Sequence, residues 1–170
     1  MEPIRLREWE AGDLPLLQAE LGDPETTKYL GGPETPEQLA ARHIRYLALE
    51  ESGTGHMLVI LAGPEEVAVG SVGYWDSVLK DEPIYEMGWG VLRTFQGQGI
   101  ATRATTLALA HAGVEGRHRF VHAFPSVENL ASNAICRKAG FTLLEEADFE
   151  YPKGRWMRCY DWAFDLHDLT

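Results

Sequence analysis

Residues Arg93 to Thr102, RTFQGQGIAT, are the part of the chain whose residue types and spacing say most about chemistry. They lie between a predicted strand and a predicted helix, so their backbone N–H groups are expected to converge at a helix N-terminus. The first amides of a helix lack intrahelical acceptors and the helix dipole is positive there, so such a terminus can bind an anion. Gly97 and Gly99 would let the main chain pass close to a bulky anion. The alternative is a plain glycine-containing turn before a surface helix.

Two common phosphate-binding loops do not match this stretch. A P-loop has Lys followed by Ser or Thr after its second glycine, whereas Ile100 and Ala101 follow Gly99. A dinucleotide-binding fingerprint has Gly or Ala where Thr102 stands, and it needs an acidic residue closing the next strand. The next predicted strand, Phe120–Phe124, contains no acidic residue. The stretch therefore fits neither kind of nucleotide site.

Two motifs of the sequence resemble those of the Gcn5-related N-acetyltransferase (GNAT) family. Residues 96–101, QGQGIA, are similar to its Gln/Arg-x-x-Gly-x-Gly/Ala signature. Residues 129–132, NLAS, followed by Gly140 and Phe141, resemble its second motif, Asn-x-x-Ser/Ala leading to Gly-Phe. Both motifs occur in the family's order and on the appropriate predicted elements. Three further segments resemble the branch that contains the ribosomal-protein N-terminal acetyltransferases: Arg5-Leu6-Arg7, Asp23-Pro24 and Tyr29-Leu30.

The resemblance implies an α+β fold for one domain of residues 1–170, with a mixed, mostly antiparallel sheet of about seven strands flanked by helices. The fourth and fifth strands, mapped to Ile84–Leu92 and Phe120–Phe124, would splay apart and hold acetyl-CoA in the gap. The amides of Gln96–Thr102 would bind the pyrophosphate, and main chain near Gly90–Leu92 would pair with the pantetheine as an edge strand pairs with a peptide. The implied cofactor-binding residues are Gly90, Val91, Leu92, Gln96, Gly97, Gln98, Gly99, Ile100, Ala101, Thr102, Asn129, Ser132 and Cys136.

An N-acetyltransferase must remove a proton from the amine, stabilise an oxyanion and accommodate the departing thiolate. Glu86 is the first candidate for the base, because family members often place a glutamate here that works through a water. Its alternative role is that of an exposed strand carboxylate. Glu150 is the second candidate, since the terminal-amine branch can use a glutamate after the Gly-Phe motif. Backbone N–H groups near Val91 would stabilise the oxyanion.

The residue at the expected position of the general acid differs from the family's pattern. Many members have a Tyr seven residues after the motif Asn, and that position is Cys136 here. Ser132 is the candidate acid instead, although it could equally start the helix or pack on the pantetheine. Cys136 itself fits a buried, small apolar residue. Asn129 could bind the cofactor, cap its helix, or do both.

The elements that must position these residues follow from hydrophobic periodicity and turn chemistry. Thr35-Pro36-Glu37-Gln38 predicts a helix start with a capping box and Pro at the first helical position. Along the helix after Gly99, Ala104, Leu107, Ala108 and Ala112 are expected on one side. Strands are predicted at Ile4–Trp9, His56–Ala62, Val67–Trp75, Ile84–Leu92, Phe120–Phe124, Phe141–Tyr151 and Met157–Asp165. Helices are predicted at Leu14–Leu21, from Thr35 to about Glu51, from Gly99 to about Glu115 and at Asn129–Ala139, with a turn at Pro152-Lys153-Gly154.

The charge balance narrows the choice of partners. Asp and Glu outnumber Lys and Arg by 26 to 15 in the 170 residues, and the net charge is −11. We expect no nucleic-acid or membrane partner, because both need a basic face. Neither a signal peptide nor an apolar run of the roughly 20 residues that span a bilayer is evident. Cys136 and Cys159 are expected to be reduced thiols of a cytoplasmic protein, and no ligand pattern for a metal ion is found.

The leading hypothesis is an N-acetyltransferase that moves an acetyl group from acetyl-CoA to a primary amine. The acceptor stays open between a protein N-terminal α-amine and a small-molecule amine. The alternatives are a non-catalytic acyl-CoA-binding module of the same fold and, last, a nucleotide-phosphate binder of unrelated fold. The sequence leaves the oligomeric state open, with a homodimer among the alternatives, and it does not exclude a longer acyl group.

Overall fold

Seven strands form one mixed sheet in the computed structural model, which describes residues 2–151 and 153–169. Their spatial order is β1-β2-β3-β4-β5-β7-β6, and neighbouring strands are antiparallel except for the parallel pair β4 and β5. This sheet confirms the predicted fold class. The strands are β1 (Ile4–Glu8), β2 (Gly55–Ala62), β3 (Val67–Leu79), β4 (Glu82–Val91), β5 (Phe120–Ala123), β6 (Thr142–Glu150) and β7 (Trp156–Asp165).

Four α-helices cover the two faces of this sheet in the described residues. They are α1 (Leu14–Leu21), α2 (Pro36–Ser52), α3 (Ile100–Glu115) and α4 (Leu130–Lys138). Successive side chains of a strand point to opposite faces. Leu58 and Ile60 of β2 pack in a core cluster with residues of α3, whereas Met57 and Val59 pack with residues of α1 and α2. The helices α1 and α2 therefore share one face of the sheet, and α3 lies on the other.

Local sequence signals set most helix ends. Thr35 Oγ1 accepts a hydrogen bond from Gln38 N at 3.2 Å, and Gln38 Oε1 accepts one from Thr35 N at 2.8 Å, which confirms the capping box. The prediction for Leu107 was wrong, because its side chain is exposed while Thr105 and Leu109 are buried. The predicted turn between β6 and β7 includes Pro152, which lies outside the described residues. Within the described ranges, none of the helices has the length and apolar character needed to cross a membrane.

The parallel pair β4 and β5 is short. Only two residue pairs connect the strands, Tyr85 with Val121 and Glu86 with His122. Beyond Glu86, β4 continues to Val91 beside β3, while β5 ends at Ala123. The predicted splay of the fourth and fifth strands is therefore confirmed, and it leaves a gap in the sheet after Glu86.

The side chain of Asn133 connects the segments that border this gap through hydrogen bonds. Its side-chain Nδ2 donates to the backbone oxygens of Ser126 and Asn129 at 3.0 and 2.9 Å. Its Oδ1 accepts a hydrogen bond from Trp162 Nε1 of β7 at 2.9 Å. Both side chains are buried. One amide group thereby fixes the loop after β5, the start of α4 and the central part of β7 relative to one another.

Replacing Asn133 with Ala is expected to destabilise the fold. It leaves the Trp162 indole N–H without its acceptor and removes one of the two hydrogen bonds that the carbonyls of Ser126 and Asn129 each accept. A buried polar group left unpaired costs about 1–3 kcal/mol. We therefore expect the free energy of unfolding in urea to fall by at least about 2 kcal/mol. Leu130→Ala on the same helix is the control, since its 79% exposed side chain should leave stability within about 0.5 kcal/mol. Equal effects of the two variants would contradict the role given to Asn133.

Candidate active site

A cleft of about 830 Å³ opens where β4 and β5 separate. It is lined by residues of α1, α2, the second half of β4, the loop before α3, and the start of α4 with the loop that precedes it. Several aromatic side chains also border it, namely Tyr29, Tyr46, Trp75, Trp89, Phe124, Phe149 and Tyr151. The cleft therefore combines an aromatic wall with the glycine-containing loop singled out in the sequence.

Gly97 and Gly99 give this loop its shape. Their φ angles are +76° and +74°, in the left-handed region where a side chain is strained, and Gly99 is the N-cap residue of α3. No described heavy atom lies within 4 Å of a Cβ built at either glycine, so backbone conformation rather than space requires them. The first turn of α3 has no side-chain cap among the described residues. Its amides at Ile100 to Thr102 are therefore available to an anion.

Gln96 is tied to the strand that ends at the cleft. Its side-chain Nε2 donates a hydrogen bond to the backbone oxygen of Val91 at 2.9 Å. This bond joins the glycine loop to the end of β4. The side chain of Gln96 thus braces the loop, and its part in anion binding would come from its backbone.

The structure brings most of the predicted cofactor-binding residues together and separates three of them. Those that line the cleft are Gly90, Val91, Gln96, Gly97, Gly99, Ile100, Ala101, Thr102, Asn129 and Ser132. Leu92 instead packs against the core beneath α1 and α2, and Gln98 is exposed outside the cleft. Cys136 is 0% exposed in the core beneath α3, where burial raises the pKa of its thiol to about 12. Cys136 is therefore not among the residues that line the cleft.

Asn129 and Ser132 meet at the start of α4. Asn129 Oδ1 accepts a hydrogen bond from Ser132 N at 3.1 Å, so Asn129 is the N-cap of this helix. Ser132 is half-buried and lines the cleft. The capping role of Asn129 is thus present in the structure, and its position in the cleft leaves a second role in ligand binding open.

Glu86 lies in the cleft at the last pair of β4 with β5. It is half-buried, with Trp75 beside it on β3 and His122 beside it on β5. Burial raises the pKa of Glu86 above its ordinary value, and the neighbouring Trp75 and His122 oppose this shift only in part. Glu86 is therefore a carboxyl group whose affinity for a proton is increased by its surroundings.

Glu150 lies away from this cleft. Its carboxylate is exposed and accepts a hydrogen bond from the backbone N–H of Gly154 at 2.7 Å, across the turn between β6 and β7. The structure therefore does not bring Glu150 together with Glu86 and Ser132.

Glu20 of α1 is a cleft residue that the sequence interpretation missed. It is only 4% exposed, and Ser71 Oγ of β3 donates to its two carboxylate oxygens at 3.1 and 3.0 Å. Burial raises the pKa of Glu20 to about 8, against the opposing effect of Ser71. The available signal was its spacing, because Glu20 follows the buried Leu16 and Leu17 by four and three residues and so falls on the inward face of the helix.

His122 and Asp161 form a second polar pair that sequence patterns did not reveal. His122 Nδ1 and Asp161 Oδ1 are 2.6 Å apart, with side-chain exposures of 8% and 4%. His122 is also the residue of β5 that pairs with Glu86. The last connection between β4 and β5 is thus anchored to β7 by a buried hydrogen bond.

Comparisons with known proteins agree with this fold. A family model described as an acetyltransferase (GNAT) domain matches residues 4–142. The structure of RimL, a ribosomal L7/L12 alpha-N-protein acetyltransferase in complex with coenzyme A, is 23% identical with a TM-score of 0.79, over 95% of this chain and 93% of that one. None of the curated protein sequences gave a match.

Two other solved structures are similar over nearly the whole chain. An acetyltransferase of Salmonella typhimurium that modifies the N-terminal serine of ribosomal protein L7/L12 is 22% identical with a TM-score of 0.80, over 95% of this chain and 94% of that one. Spermidine N-acetyltransferase from Vibrio cholerae, solved with CoA and spermine, is 16% identical with a TM-score of 0.79, over 96% of each chain. At these identities the likeness concerns the fold.

Substituting Ala for Gly97 or for Gly99 is expected to strain the loop, because an L-residue in the left-handed region costs about 1–2 kcal/mol. Each variant should lose about that much in free energy of unfolding, measured by urea denaturation. Gly12→Ala is the matched control, since its Cβ also meets no described atom within 4 Å but Gly12 has no positive φ. If Gly12→Ala is as destabilising as the loop variants, the conformational role of Gly97 and Gly99 is refuted.

Proposed function

Because the chain belongs to the GNAT acetyltransferase family, we propose that it moves the acetyl group of acetyl-CoA to a primary amine by direct attack in a ternary complex. It is an acetyl-CoA-dependent N-acetyltransferase, with acetyl-CoA as cosubstrate. The observation that supports the finer proposal is one cleft that contains both an uncapped helix N-terminus and a half-buried carboxyl group, that of Glu86. The first suits the anionic cofactor, and the second suits proton removal.

We assign the cofactor to the gap between β4 and β5. The amides of residues 96–102 would bind its pyrophosphate. The backbone of Gly90 and Val91 would pair with the pantetheine, because β5 no longer occupies that side of β4. The side chain of Gln96 donates a hydrogen bond to the carbonyl of Val91. This bond would hold the end of β4 in place when the pantetheine binds beside it.

We assign proton removal to Glu86, through a water, and oxyanion stabilisation to backbone N–H groups near Val91. Ser132 is the candidate proton donor to the thiolate, since it lines the cleft and Cys136 does not. Glu150 receives no role in this proposal, because it is exposed and bonded within its turn.

The acceptor would be either a protein N-terminal α-amine or a small-molecule amine. Two similar structures are of enzymes that acetylate a ribosomal protein N-terminus, and another is of a spermidine acetyltransferase. We also propose a cytoplasmic location, because both cysteines are free and buried, as in proteins of a reducing compartment.

Glu86→Gln is expected to lower kcat by about 10²–10⁴-fold, the usual contribution of a general base. Release of free thiol from acetyl-CoA would be followed with a panel of N-terminal peptides, polyamines and aminoglycosides. The exposed Glu37 provides the control variant Glu37→Gln, which should match the wild type. Wild-type protein that is silent across the whole panel would speak against the proposed activity.

The pH dependence of kcat provides a separate test of the Glu86 role. The base must be ionised to accept a proton, and burial holds the pKa of Glu86 above the ordinary value of about 4.3. We therefore expect kcat to fall as the pH drops through this raised pKa, and the part of the fall that is due to Glu86 to be absent from Glu86→Gln. A wild-type profile that stays level down to pH 4.5 would contradict the assignment.

A non-catalytic acyl-CoA-binding module is the second candidate. The buried Cys136 favours it, because it stands at the position where the resemblance to the family implied a tyrosine acid. This candidate predicts that acetyl-CoA raises the Tm of the protein without any thiol release. Turnover by the wild type that is lost in Glu86→Gln would exclude it.

A further inference from the structure

Glu20 occupies a position in the cleft that the proposed roles leave unused. Its Oε1 lies 3.6 Å from the place where a Cβ would stand at Gly90, so its carboxyl group covers the end of β4. Glu86 lies four residues earlier on the same strand, roughly 13 Å away along the backbone. The two carboxyl groups therefore lie near opposite ends of the stretch Glu86–Gly90 of β4, where β5 no longer pairs with the strand.

The Glu20 carboxyl has no cationic partner among the described residues. Its hydrogen bonds come from Ser71, and its raised pKa reflects burial that no positive charge offsets. Arg42 of α2 also lines the cleft, but its guanidinium binds Glu34 at N–O distances of 2.6–3.1 Å and the Tyr151 hydroxyl at 2.8 Å. A buried carboxylate without a partner is costly, and a positively charged ligand in the cleft would remove that cost.

The chemistry of the reaction requires two proton acceptors when the acceptor arrives as an ammonium ion. The first proton must leave before the nitrogen can attack the thioester carbon. Attack forms the C–N bond and leaves a second excess proton on that nitrogen, and collapse of the intermediate breaks the C–S bond to release a thiolate. Of the two protons, one ends on the thiol of CoA and the other is released to water.

We propose that Glu20 binds the ammonium group of the acceptor and takes its first proton, while Glu86 takes the second. The inference rests on the proposed acetyltransferase function. Glu20 would give its proton to solvent after each turnover. The proton on Glu86 would replace, through water, the one that the Ser132 hydroxyl donates to the thiolate. Glu20 is therefore a catalytic residue of the acceptor site.

The test compares kcat/KM of the wild type and Glu20→Gln between pH 6.5 and 9.5, with an active α-amine peptide from the panel. Gln keeps the shape of the side chain and an oxygen for Ser71. At pH 7.5 we expect a loss of about 100-fold. The loss should shrink at least tenfold by pH 9.5, since the amine is then neutral before it binds. Tyr46 of α2 lies near Glu20, with Arg42 beside that tyrosine, and Ser71 of β3 donates to the carboxyl group. Glu86 lies further along β4.

Controls separate this role from a structural one. Glu37→Gln should match the wild type at every pH, and Glu20→Gln should keep the Tm and the KM for acetyl-CoA of the wild type. Ser71→Ala keeps the carboxyl but removes its donor, so it should show a smaller loss with the same pH trend. A loss in Glu20→Gln that is equal at all pH values, or no loss, overturns the inference. Absence of wild-type turnover would instead refute the proposed function.

Discussion

β4 pairs with β3 from Glu82 to Val91, but it pairs with β5 only at Tyr85 and Glu86. The candidate site depends on this loss of pairing after Glu86. A strand edge in the middle of a sheet exposes unpaired N–H and C=O groups, which normally invite another chain. Here the edge lies inside a cleft, bounded by the start of α4 and the glycine loop before α3. Because the edge lies inside the cleft, it is less accessible to another chain than an edge at the margin of a sheet.

Hydrogen bonds of polar side chains fix the margins on both sides of the gap. His122 is tied to Asp161, and Asn133 joins the loop after β5 to Trp162 of β7. On the opposite side, Gln96 binds the last carbonyl of β4. Apolar packing alone is non-directional, so it would favour closing such a gap. Hydrogen bonds are directional, so those at the two margins define the positions of the segments on either side of the gap more closely than apolar packing does.

Sequence reasoning succeeded where a structural feature has a local cause. The capping box at Thr35 and the glycines at 97 and 99 each act within a few residues of chain, and the structure has them as expected. Leu107 was misassigned because the Ala-rich helix α3 has little contrast between its faces. Glu20, His122 and Asp161 gain their properties from residues 30 or more positions away, such as Ser71 for Glu20. Contacts between residues so far apart in the sequence leave no short motif by which they could be predicted. The burial of Cys136 also depends on the packing of the whole core.

The acidity of the chain is compatible with an anionic cofactor, because the anion-binding loop and the carboxyl groups lie in different parts of the cleft. Anion binding at the glycine loop relies on backbone amides and a helix dipole, which need no basic side chain. Carboxyl groups then remain available for the acceptor side, where Glu20 and Glu86 share the cleft. Burial raises the pKa of both, so their surroundings disfavour the charged form of each carboxyl group. A basic residue at either position would attract the cofactor but repel an ammonium acceptor, so an acidic acceptor side with amide-based anion binding is the arrangement that accommodates both substrates.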